Sequence, residues 1–118
     1  MEKLIIGIDL CDNYTQAAVL GREDAWMLPT VICRKKAAEE WYVGEDAYKY
    51  TLVGEGVIVD KLLSLAAKEG TSTIGGVKYG GMELLQRFLG SILAMVRAEY
   101  AGQKIDELVI SLKNLEMK

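Results

Sequence analysis

The chain contains no histidine. That removes Ser-His and Cys-His nucleophile pairs and every zinc site built on imidazole. Any catalysis must therefore rest on carboxylates, lysine, backbone amides and a hard metal ion. Cysteine is nearly absent too: Cys11 and Cys33 are too few and too far apart for a zinc pattern. Two free thiols in a reducing cytoplasm is the simplest reading, so a cytoplasmic location is expected. Long apolar runs are missing. Nothing approaches the roughly 20 residues of a membrane span, and the opening MEKLIIGIDL is too short and too soon interrupted by Asp9 to be a signal peptide. Basic clusters are missing as well. The longest run is Arg34, Lys35 and Lys36, read as a solvated strand end or loop. With a net charge of -3 and a pI of about 5.0, the electrostatic footprint of a nucleic-acid partner is lacking.

What is present is an apolar, core-forming composition. Of 118 residues, 51% are hydrophobic, and the mean hydropathy is +0.13. A chain of this length is one domain or part of one, and it can bury about two-thirds of its unfolded surface. The apolar fraction supports a packed core and suggests apolar surface left without a partner.

Apolar periodicity organises the chain. From Lys3 to Leu10 the alternation predicts a strand with Leu4, Ile6, Ile8 and Leu10 on one face and Ile5, Gly7 and Asp9 on the other; apolar residues on both faces suggest a central position. Tyr14 to Leu20 reads as its hairpin partner across Cys11, Asp12 and Asn13. Ala25 to Arg34 reads as a third strand containing Pro29, suited to an edge or bulge. Trp41 to Val43 looks extended. Gly44 precedes a short helix, Glu45 to Tyr50, with acids in its first turn. Val57 to Val59 reads as extended, with a helical piece over Asp60 to Lys68. TSTI-GG-VKY carries a two-residue hairpin signal at Gly75-Gly76. The strongest helix runs from about Met82 to Ala101, with Leu85, Phe88, Leu89, Ile92, Met95 and Val96 as its stripe and Gly102 as its stop. A last strand covers Ile105 to Leu112. A long helix feeding a strand predicts a right-handed crossover that sets this strand parallel to the first.

The chemistry concentrates in LIIGIDLCDNYTQAAVL, Leu4 to Leu20. An apolar strand ends in an aspartate, turns over polar residues and returns. Such a hairpin can cradle phosphate, with turn amides toward the oxygens and the carboxylate toward a metal ion.

GIDL at Gly7 to Leu10, LPTVI at Leu28 to Ile32, YVGEDA at Tyr42 to Ala47, the Gly75-Gly76 hairpin, AEYAG at Ala98 to Gly102 and ELVISL follow in an order that resembles the actin-like ATPase superfamily, and most of all the DnaK-type heat-shock chaperones. The resemblance covers essentially the whole chain. It implies an α/β, ribonuclease H-like lobe: a three-stranded antiparallel meander, a crossover helix and a parallel strand, with a small inserted subdomain. The core lobe would span about 1–34 and 82–118, and the insertion about 35–81. By the same resemblance, Asp9 would hold a magnesium ion through water, and Cys11, Asp12, Asn13 and Tyr14 would form the phosphate turn for ATP. Lys61 would match the catalytic lysine aimed at the γ-phosphate; on its own residues it also reads as a surface lysine at a helix start.

The turn departs from the family, whose Gly-Thr-Thr is here Cys11, Asp12 and Asn13. Cys11 adds a side chain where glycine permits close approach, and Asp12 places negative charge where hydroxyl donors would stand. A tight turn with no ligand is the competing reading. The family's later phosphate loop and adenosine site have no counterpart in ELVISLKNLEMK, so the chain reads as a fragment. The implied partners are the remaining ATPase lobe and, for a chaperone, protein clients or co-chaperones, with no nucleic acid and no membrane; the unmatched apolar surface suggests self-association. Two further functions stay open: a scaffold that kept the fold and lost the nucleotide, and a bacterial filament or cell-division protein of the same superfamily.

Overall fold

The structure, a computed structural model, describes residues 4–23, 25–36, 39–100 and 103–112. Its central sheet is built from β1 (Ile5–Leu10), β2 (Tyr14–Val19), β3 (Ala25–Pro29) and β9 (Glu107–Leu112), in the order β3-β2-β1-β9. β1–β2 and β2–β3 are antiparallel. β9 returns parallel to β1, with Gly7 opposite Val109 and Asp9 opposite Ser111. The expected parallel return therefore forms, and β1 is a central strand, as its two apolar faces predict.

Alternation decides which face is buried. Ile6, Ile8 and Leu10 join Ala17, Val19 and Leu28 on a face closed over by α3 (Gly81–Glu99). α3 buries Leu84, Leu85, Phe88, Ile92 and Val96 into that core. Two details differ from the sequence reading. Leu84 is fully buried, whereas Met95 is 37% exposed. The stripe is rotated toward Leu84 because the helix also packs along α2 (Leu62–Ala67), so it buries a wider arc than one sheet contact would demand. The expected Gly102 stop lies outside the described residues.

A second sheet, in the order β5-β4-β6, comprises β4 (Ile32–Lys35), β5 (Trp41–Val43) and β6 (Gly56–Val59). α1 (Glu45–Leu52) packs on it, burying Ala47 beside Val31 and Cys33. β7 (Thr71–Ile74) and β8 (Val77–Gly80) form the expected hairpin. Gly75 and Gly76 both have positive φ, 59° and 80°, as a two-residue primed turn requires.

Two expectations are corrected. The single strand from Ala25 to Arg34 is two strands in two sheets. Pro29 ends β3, having no N–H to continue the ladder, and Thr30 turns inward to bond the first hairpin, so the chain changes sheets at Thr30–Val31. The basic run is not uniformly solvated. Arg34 is 8% exposed, its guanidinium packs beside Gly75 and donates to the Lys35 carbonyl at 3.1 Å, and Lys35 is half-buried. Only Lys36 is exposed. The apolar stem of Arg34 buries as an arginine stem can, the Lys35 carbonyl meets one guanidinium nitrogen, and Nε is buried without a partner among the described residues.

Candidate functional site

β1 delivers Asp9 to the end of the sheet. Its neighbours in register are Gln16 and Ser111, and its side chain is exposed on the sheet's second face. A Cβ placed on Gly7, the preceding residue of that face, would meet nothing within 4 Å. The space before Asp9 is open. No ion pair or hydrogen bond engages the carboxylate among the described residues. One free carboxylate in open surroundings suits a magnesium ion that keeps most of its waters. It does not suit a closed metal cage, and no group of three or more His, Cys, Asp or Glu side chains able to hold a metal occurs among the described residues.

The turn of Cys11, Asp12 and Asn13 is held from beneath by Thr30. The Thr30 hydroxyl donates to the Cys11 carbonyl at 2.6 Å and shares a 2.7 Å hydrogen bond with the Thr15 hydroxyl. The Thr30 amide donates to the Asn13 carbonyl at 3.2 Å. Thr15 and Thr30 are fully buried. Thr30 thus fixes the turn's conformation, a role that nothing in the sequence signalled.

Asp12 does not face an open cradle. One of its carboxylate oxygens accepts the Ser64 backbone N–H at 3.0 Å, and the other accepts the Ser64 hydroxyl. Ser64 lies in the first turn of α2, which Lys61 opens. The structure therefore brings the turn and the beginning of α2 together. Lys61 itself is exposed and adopts the left-handed conformation, φ 50° and ψ 46°. A lysine there costs about 1–2 kcal/mol relative to the right-handed region, and such outliers gather at functional sites. Asn13 and Tyr14 are exposed, Tyr14 at 55%, while Cys11 is half-buried and a free thiol. Ser64 was not singled out in the sequence. A serine in a helical pattern carries no signal of a partner fifty residues away.

Elsewhere the chemistry is structural. Arg87 stacks over Trp41 at 4.6 Å and reaches Glu39 and Glu83, both at 3.6 Å. Tyr42 and Tyr50 stack at 4.0 Å, with the Lys35 ammonium 5.1 Å from the Tyr50 ring. The Tyr42 hydroxyl donates to the Glu40 carboxylate at 3.3 Å, and its phenol is pushed above its ordinary range, first by the neighbouring Tyr50 side chain, then by desolvation and by the charge of Glu40.

An antiparallel meander, a long helix and a parallel return strand, with a second small sheet and a hairpin between them, form a mixed α/β fold like that of actin-like ATPase domains. Two solved structures bear this out. One is described as "MamK non-polymerising A278D mutant bound to AMPPNP": TM-score 0.63, 19% identity, covering 93% of this chain and 32% of that one. The other, "Crystal structure of MreB5 of Spiroplasma citri bound to ADP", gives a TM-score of 0.55 at 16% identity and covers 93% of this chain and 38% of that one. The chain thus spans about a third of the length of these structures, and the likeness is one of fold. Residues 13–118 match the family described as "Family of unknown function (DUF5716) C-terminal", and the chain belongs to that family. No curated protein sequence matches it.

Proposed function

We propose that this chain supplies the first phosphate-binding hairpin of an actin-like nucleotide cleft, acting with a second lobe to hold ATP and magnesium. The observation that carries this reading is the convergence of three features at one end of the lobe: a free Asp9 carboxylate, a turn braced by Thr30, and an α2 opened by the strained Lys61 and tied to the turn. Asp9 would hold the metal through water. The backbone of Cys11, Asp12 and Asn13 would face phosphate, and Lys61 would supply the positive charge. Both solved relatives carry an adenine nucleotide by their own descriptions, which supports the choice of ligand. The order of motifs from GIDL to ELVISL favours a heat-shock-seventy-like switch with clients and co-chaperones; the likeness to MamK and MreB5 favours a filament-type relative. Both use the same cleft.

A second reading rests on one observation. The Asp12 carboxylate is bound to Ser64 beside the position a phosphate would take, and its charge would oppose an incoming anion. On that reading the turn is closed and the fold serves as a protein-interaction scaffold.

Calorimetry separates the two in a protein that joins this chain to a second lobe. Micromolar binding of Mg-ATP, weakened about tenfold by Asp9→Asn, is expected of the nucleotide reading. Absence of binding, with binding gained in Cys11→Gly, Asp12→Thr, Asn13→Thr, identifies a turn that has lost its ligand and establishes the scaffold reading. The chain by itself is expected to bind ATP weakly, because one lobe does not make a cleft.

A further inference from the structure

Away from the turn, a groove of about 410 Å³ runs between β3, β5 and α3. Met27 and Leu28 of β3, Trp41 and Val43 of β5 and Met95 of α3 line it. Glu45 and Asp46, the acids of the first turn of α1, line it as well. Two features of topology distinguish this groove from a chance depression. β3 is the last strand of the central sheet and β5 the last strand of the second sheet, so each presents an unpaired edge. The two strands converge where Leu28 packs on Gly44: a Cβ on Gly44 would come within 3.1 Å of the Leu28 Cβ. Among the described residues, β3 pairs only with β2, and neither proline nor an inward-pointing charge blocks its edge before Pro29. Natural sheets usually blunt such an edge unless it is used.

We propose that this groove binds an extended peptide segment that adds to the free edge of β3, with an apolar side chain between Trp41 and Met95 and a basic side chain at Glu45 and Asp46. The backbone edge supplies hydrogen bonds and the two flanking surfaces supply specificity, as in strand addition generally. Charge decides the polarity of the partner. Glu45 has no ion pair among the described residues, and Asp46 has only the exposed Lys49, 3.5 Å away, so the acidic pair favours a cation. The proposal is independent of the nucleotide reading, because the groove shares no residue with the turn.

The test uses the whole chain and a short capped peptide of alternating valine and threonine with one arginine. Saturable shifts of the β3 amides are expected by nuclear magnetic resonance, with a matching dissociation constant by calorimetry. Methylating the peptide's backbone nitrogens along one edge should abolish binding. Replacing its arginine with glutamate should weaken it about tenfold, and Glu45→Gln with Asp46→Asn about fivefold. The proposal is overturned by absence of saturable binding at millimolar peptide, or by equal binding of the methylated peptide, which would mean that no strand pairs. It is likewise overturned if the arginine and glutamate peptides bind alike, or if the chain dimerises through β3 and excludes the peptide, which would make a second copy the occupant.

Discussion

Asp12→Ala removes the acceptor of both the Ser64 amide and the Ser64 hydroxyl. A hydrogen bond to a charged group contributes about 1.5–3 kcal/mol when well shielded. Asp12 is half-exposed, so a loss of about 1–2 kcal/mol in urea unfolding is expected. The variant should be no more destabilising in a Ser64→Ala background than its remaining bond to the amide allows, and a double-mutant cycle reads that coupling directly. An additive pair would show that the tie contributes nothing. Thr30→Val is more costly for its size. It leaves the Cys11 carbonyl and the buried Thr15 hydroxyl without their partner, and about 1–3 kcal/mol should be lost. Tyr42 makes a prediction about pH. Its folded-state pKa lies above the ordinary value of 10.0, so the neutral phenol is the form that folding favours. Its contribution is complete below pH 10.0 and declines as the unfolded chain ionises at higher pH. In an alkaline absorbance titration, the last phenol to ionise should vanish in Tyr42→Phe; if the last step persists, another tyrosine carries it.

Among the elements, α3 and its seat on α2 dominate. Gly81 begins α3 with its α-carbon against the α2 backbone, where an added Cβ would fall 2.7 Å from the Leu65 carbonyl carbon and 2.8 Å from the Ala66 nitrogen. Backbone cannot yield as a side-chain tip does. Gly81→Ala is therefore expected to cost about 1–3 kcal/mol, despite alanine's better helix propensity. Gly90→Ala, on the same helix with nothing within 4 Å of the added Cβ, should be neutral or stabilising. Equal effects at the two glycines in thermal unfolding would remove close packing as the cause. β3 and β4 carry the lesson about reading elements from sequence. Ala25 to Arg34 is continuously strand-like by composition, and Pro29 announces an edge. What splits it is Thr30, whose hydroxyl reaches Cys11 and Thr15, residues distant in sequence. The Gly75-Gly76 hairpin was legible by contrast, because both glycines act locally through positive φ.

On the scale of the whole molecule, the lobe is thin: its principal extents are 47 × 37 × 20 Å. The short axis matches one sheet with one layer of helix, each about 10 Å thick. Among the described residues, the edge strand β9 exposes Leu108, Val109 and Ile110 at 39%, 49% and 41%. Apolar residues on both faces of a strand belong to a strand covered on both sides. We therefore expect concentration-dependent association of the chain in sedimentation. Charge substitution at Val109, such as Val109→Lys, should shift it toward monomer without changing the unfolding midpoint. A monomer at all concentrations would show that this surface is tolerated in water.

The alternation of β1, the stripe of α3, the glycine pair of the β7–β8 hairpin and the position of Asp9 at a strand's end are determined by the sequence alone. Each depends on residues within a turn or a pleat of one another, so local periodicity records them. Tertiary structure alone decided that Asp12 meets Ser64, that Thr30 braces the turn, that Arg34 is buried beside Gly75 and that two free strand edges flank one groove. These join residues far apart along the chain, and a polar side chain looks the same in sequence whether solvent or a distant partner satisfies it. The physical reason is burial. Once the sheet and α3 exclude water, most polar groups near them find a protein partner, and only the folded path of the chain determines which one is within reach.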